Sequence, residues 1–276
     1  MFLEEIIVTI ETLNEPTSRI VNVAGLDINI RESGEGKPLV ILHRSTGYLE
    51  WDSFANKLSE SFHVIYPDLP GFGNSERPDW ARESRDLSIV MVELFKVLDI
   101  KDITLVGLGL GGFIAAELAT MNQERLANIV LISPAGIKPD EGEILDQMLI
   151  EHADYIRHGL ADPSHFENKF GDEVHPDIQD IWEFSRIMTA RISWSPYMFN
   201  RRLPHLLNII TVPTLIIFGN SDTVIPYTVG QQFINNLSNG QLEIIDGGGH
   251  LIEWEMPDKI SELIIGHSSL IRSLRC

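Results

Sequence analysis

Three glycine-flanked stretches carry the residues of this chain whose types and order could do chemistry together. Asp222 ends Gly219-Asn220-Ser221-Asp222, with Pro226 four residues on, and His250 follows Gly247-Gly248-Gly249. A carboxylate that orients an imidazole prepares it to act as a general base. The third stretch, Gly107-Leu108-Gly109-Leu110-Gly111, has the frame of a nucleophile elbow, G-x-S-x-G, in which the central residue is the attacking serine. Here the centre is Gly109, which has no side chain. Acyl transfer needs an attacking oxygen, a base to take its proton and donors for the oxyanion. The base and its acid have candidates; the attacking atom has none.

These residues need elements to hold them. The pattern predicts strands over 20–24, 26–31, 38–42, 63–66, 103–106, 126–132, 213–218 and 241–245. Helices are predicted over 51–58, 87–98, 113–119, 229–237 and from about 257. Strands alternating with helices imply an α/β fold, a mostly parallel, doubly wound sheet entered through an edge hairpin. From about 138 to 208 no strand signal appears, only the helical stretches 144–156 and 178–192, with Trp182, Trp194 and Tyr197 in its second half. The expected organisation is a core of residues 1–137 and 209–276 with an inserted helical cap, 138–208. Loops that follow parallel strands gather at one edge of the sheet, where ligands bind. Asp222 and His250 are therefore expected to meet above Gly109.

Composition narrows the setting. A chain of 276 residues with 43% hydrophobic content can bury one large core. The formal net charge of −19 disfavours nucleic acid and anionic membranes as partners. No apolar run approaches the roughly 20 residues of a membrane helix, and the acidic start, with Glu4 and Glu5, is unlike a signal peptide. A cytoplasmic location is the expectation. The single cysteine is Cys276, so no disulfide framework or cysteine metal site is expected. No cofactor or metal is called for, the expected partner is a small molecule, and the oligomeric state is open.

With these residues in view the chain resembles the α/β-hydrolase superfamily over nearly its whole length. The resemblance rests on His43–Gly47 in the place of the oxyanion loop, on Asp68-Leu69-Pro70-Gly71-Phe72-Gly73-Asn74-Ser75, on the elbow, on Val212-Pro213-Thr214 and on Gly249-His250. It implies oxyanion donors at the backbone N–H groups of Leu110 and Ser45, and a cap that shapes the acyl-side pocket. Two departures stand out. Arg44 replaces the glycine that usually follows this histidine, placing a cation near the pocket mouth, and Gly109 replaces serine.

Other readings stand beside each residue. His250 could be a satisfied loop histidine, Asp222 a helix cap, Arg44 a surface charge or a substrate contact, and Trp182 and Trp194 packing or substrate contacts. His43 reads as a brace for its loop, and Ser45 and Ser133 are hydroxyls near the edge but off the elbow. Glycine suits the strained elbow because it has no Cβ to be penalised. A serine restored at 109 would be aimed at His250. Three functions follow: a hydrolase of a small, largely apolar ester, lactone or ketone whose covalent route is lost with the serine; an enzyme using the Asp222–His250 pair as a general base; or a binding protein without turnover.

Overall fold

The computed structural model describes residues 15–171 and 173–275; Glu4, Glu5 and Cys276 lie outside them. Among the described residues eight strands form one sheet: β1 (Thr17–Val23), β2 (Leu26–Ser33), β3 (Pro38–Leu42), β4 (His63–Pro67), β5 (Ile103–Leu108), β6 (Leu126–Ile132), β7 (Thr214–Gly219) and β8 (Gly240–Ile245). Their spatial order is β1-β2-β4-β3-β5-β6-β7-β8. The hairpin β1–β2 and the pair β2–β4 are antiparallel, and every other pairing is parallel.

The central strands are apolar because both of their faces are covered. Successive residues point to opposite faces, so Val40 and Leu42 of β3 join one core and Leu39 and Ile41 the other. On the first face lie α2 (Ser84–Val97), α3 (Leu110–Met121) and α8 (Val229–Asn236), through residues such as Met91, Ile114 and Phe233. On the second lie α1 (Ser53–Ser59) and α10 (Pro257–Arg275), through Phe54, Leu58, Ile260 and Ile264. The two-core arrangement is the doubly wound sheet that the alternation of elements predicts.

Between β6 and β7 the described residues add no strand to the sheet. It runs through α4 (His152–His158), α5 (Ser164–Phe170), α6 (Pro176–Ser193) and the short α7 (Leu203–Leu206). The predicted helix over 178–192 is α6. The one predicted over 144–156 forms only in its last third, as α4. Upstream of it the backbone is taken by distant partners: Leu145 N–H donates to Val224 O, and Gln147 N–H to the Tyr197 hydroxyl. Asp146 Oδ1 also accepts from Met148 N–H, which favours a turn over a helix.

The approach of α3 to the sheet sets the position of everything built on its first turn. At Gly111 an added Cβ would lie 2.0 Å from the Leu42 carbonyl oxygen, so only glycine lets the helix rest this closely on β3. Among the described residues no helix is long and apolar enough to cross a membrane.

Candidate active site

Gly109 links β5 to α3 with φ 52° and ψ −108°, a conformation that strains any residue bearing a Cβ. It is held from both sides. Its N–H donates to Ile132 O, and its carbonyl accepts from Ala135 N–H and Phe113 N–H, the latter opening the helix. Leu110 is the first residue of α3 and is buried.

Asp222 and His250 are brought together by the loops that follow β7 and β8. Ser221 N–H donates to Gly248 O, which ties the two loops. His250 Nδ1 lies 2.9 Å from Asp222 Oδ2, and both side chains are buried. The other oxygen, Oδ1, accepts from Val224 and Ile225 N–H at 2.9 and 2.8 Å, so Asp222 also caps its own turn. Burial pushes its carboxyl up, but the neighbouring His250 and these N–H donors outweigh burial and hold it below the usual carboxylate range.

Arg44 is not at a pocket mouth. It is 4% exposed, and its Nε and Nη2 donate to Glu253 Oε1 and Oε2 at 2.7 and 2.6 Å. Its Nη1 stands 3.0 Å from His250 Nε2. A guanidinium can only donate, so Nε2 is the acceptor, and the ring proton sits on Nδ1 and is donated to Asp222. Burial alone would lower the guanidinium's pKa; the Glu253 carboxylate and its hydrogen bonds outweigh that and hold it above its ordinary value. A Cβ built on Gly109 would meet Arg44 Nη1 at 3.0 Å and His250 Nε2 at 3.4 Å. A serine restored alone would therefore stand beside His250, as expected from the elbow, but would contend with the guanidinium there.

The remaining residues divide. Ser45 lies beside this group: its Oγ donates to Gln147 Oε1 at 3.1 Å, its carbonyl accepts from Thr189 Oγ1 of α6, and it is hydrogen-bonded to Tyr155. His43, pushed down by burial, donates from Nδ1 to Arg44 O and accepts Leu69 N–H at Nε2, bracing its loop. Trp182 is buried within the helical segment, edge-on to Phe170. Trp194 is 56% exposed at the end of α6 and lines a different cavity, near Arg82 and Arg191. Ser133 is buried just after β6, and its hydroxyl has no hydrogen-bond partner among the described residues.

Glu253, in α9 (Ile252–Glu255), was not picked out by the motifs. Its signal was the need for a counter-charge should Arg44 be buried. Gln147 and Tyr155 carried no signal. A crevice of about 310 Å³ between α5 and the start of α1 is lined by Glu253 together with Trp51, Asp52, Lys169 and Trp254. Burial, with Glu253 and Glu50 nearby, pushes the Asp52 carboxyl up to about 6, although its own cap bond to Ala55 N–H opposes this.

Two outcomes follow from this electrostatic arrangement. Glu253→Gln leaves Arg44 buried without its counter-charge and should cost about 3–5 kcal/mol in urea unfolding, whereas Arg44→Met with Glu253→Leu should cost less than that single change; additive losses would contradict the coupling. Asp52 has a folded pKa above its unfolded value, so its contribution is full below about 4 and is lost as pH rises through about 6. Asp52→Asn keeps the cap and should raise stability at pH 7.5 relative to pH 4 compared with the parent. An unchanged pH dependence would show that Asp52 is not held protonated by its surroundings.

Comparison with known proteins matches this architecture. A family model described as Alpha/beta hydrolase family matches residues 39–263. The chain is 28% identical over 269 residues to 2-hydroxymuconate semialdehyde hydrolase of Pseudomonas sp. (strain CF600), covering 89% of this chain and 92% of that protein. It is similar in structure, with a TM-score of 0.75 and 21% identity, to 2-hydroxy-6-oxo-6-phenylhexa-2,4-dienoate hydrolase from Rhodococcus sp. strain RHA1, covering 92% of this chain and 98% of that one. An esterase from Exiguobacterium antarcticum aligns with a TM-score of 0.70 and 21% identity, over 92% of this chain and 100% of its own. With its mostly parallel sheet, and with that family model spanning most of its length, the chain belongs to the α/β-hydrolase family.

Proposed function

We propose that this chain is an α/β-hydrolase family member in which hydrolysis through an acyl-enzyme is closed, and which binds a small, largely apolar molecule between a core of residues 1–137 and 209–276 and a helical cap, 138–208. The parent reaction on this reading is the cleavage of a small ester or ketone. Relatives named as a 2-hydroxymuconate semialdehyde hydrolase and an esterase support that class.

One observation carries the proposal: the Arg44 guanidinium, paired with Glu253, stands against both Gly109 and His250, 3.0 Å from where a Cβ at 109 would sit, and donates to Nε2. In the serine scheme that nitrogen takes the nucleophile's proton. Here its lone pair is engaged, so the same contact disfavours the second reading, in which His250 activates a water. The oxyanion donors assigned to Leu110 and Ser45 N–H then have no tetrahedral intermediate to serve. Two buried polar atoms without hydrogen-bond partners among the described residues, Gln147 Nε2 and Ser185 Oγ, flank the loop that carries Ser45, and support binding of a molecule with an oxygen to offer there. Trp182 belongs to the cap wall on this reading.

Stopped-flow assays with p-nitrophenyl acetate and butyrate test it. The chain as it stands should show no burst and no turnover above that of His250→Ala. Gly109→Ser alone should gain little. Gly109→Ser combined with Arg44→Gly and Glu253→Gln, which clears the space without stranding a charge, should show a burst and a rate gain of at least about 10³-fold. A burst from the parent chain would refute the proposal.

A further inference from the structure

A second cavity, of about 250 Å³, lies where the start of α2, the first turn of α3 and the end of α6 converge. Two of the three arginines on its wall, Arg82 and Arg191, are unusual for this chain. Arg82 Nη1 donates to the carbonyl oxygens of Asp79 and Ala81 at 2.6 and 2.7 Å. Arg191 binds the same two carbonyls, through Nη2 to Asp79 O and through Nε to Ala81 O. The shared acceptors hold the two guanidiniums side by side, and among the described residues neither forms an ion pair with a carboxylate. The chain has 40 acidic residues against 21 basic ones, so unpaired neighbouring cations run against its composition. Each guanidinium has five N–H donors and spends only part of them on the carbonyls.

The wall also carries three aromatic residues, the exposed Trp194 with Phe113 and Phe199, among polar neighbours that include Ser84, Ser195 and Asn200. The one carboxylate among the lining residues, Glu83, is engaged with Arg202 at 2.6 Å. Planar guanidiniums match carboxylate and phosphate oxygens with paired hydrogen bonds, and an exposed indole offers a face for stacking. The volume is below the roughly 300–1,000 Å³ of sites for drug-sized ligands, which points to a body of one or two rings.

We infer that this cavity binds a small aromatic anion, its carboxylate or phosphate held by Arg82 and Arg191 and its ring laid against Trp194. The site is separate from the Gly109–His250 group, and the inference does not rest on the function proposed for that group.

The test titrates the full chain with 2-naphthoate and with its neutral counterpart 2-naphthalenemethanol, by calorimetry and tryptophan fluorescence. The naphthoate should bind saturably and the alcohol at least about tenfold more weakly. Arg191→Gln and Arg82→Gln should each weaken naphthoate about tenfold or more, as loss of a charged hydrogen bond does. Arg82 is exposed, so its variant remains informative if Arg191→Gln fails to fold. Trp194→Phe should remove the fluorescence change, and His250→Ala should bind as the parent does. No saturable binding, equal binding of the alcohol, or binding undiminished in Arg82→Gln and Arg191→Gln would overturn the inference, and loss of binding in His250→Ala would place the ligand at the other site.

Discussion

A guanidinium as deeply buried as that of Arg44 is tolerated only where opposite charge and acceptors meet it on its polar edges. Glu253 takes two of its nitrogens and His250 the third. This requirement shapes the chain around it. Glu253 reaches Arg44 because the chain turns into α9 directly after His250, and that turn is fastened by Leu251 N–H on Gly159 O and Gly249 N–H on Glu255 Oε2. Asp222 then orients His250 from the far side, so one line of polar contacts runs from Asp222 through His250 and Arg44 to Glu253.

The same requirement gives Gly109 a role besides backbone freedom. The elbow conformation suits glycine on its own account. In addition, a Cβ there would press on Arg44 Nη1, so the missing side chain and the inserted guanidinium fit each other. A serine removed alone would leave unfilled space beside His250. In this chain the space is occupied by a cation with its own buried partner. Under the proposed function, the loss of the nucleophile and the filling of its place are two sides of one packing solution.

The fold was legible because its signal is local: β-branched runs of strand length, and helical periodicity between them. Asp222 and His250 were legible as neighbours for a related reason, since each follows a strand and parallel strands deliver their loops to one edge. The depth of Arg44 was not, because it depends on Glu253, 209 positions away in the sequence. An arginine after an apolar strand reads as a surface or pocket-mouth charge until its partner is known. The helix over 144–156 failed for the same kind of reason: Val224 and Tyr197 compete for its backbone, and neither is visible in the local pattern. Trp194 was read as a possible substrate contact of the Gly109 site, yet it faces the cavity of Arg82 and Arg191.

The central claim is that Arg44 holds the lone pair of His250 Nε2. Long-range ¹H–¹⁵N NMR of the His250 ring at neutral pH tests it most directly, with Arg44→Met as the comparison. The account requires Nε2 without a proton, Nδ1 carrying one toward Asp222, and a change at Nε2 when the guanidinium is removed. A proton on Nε2 in the parent chain, or a ring signal indifferent to Arg44→Met, would contradict it.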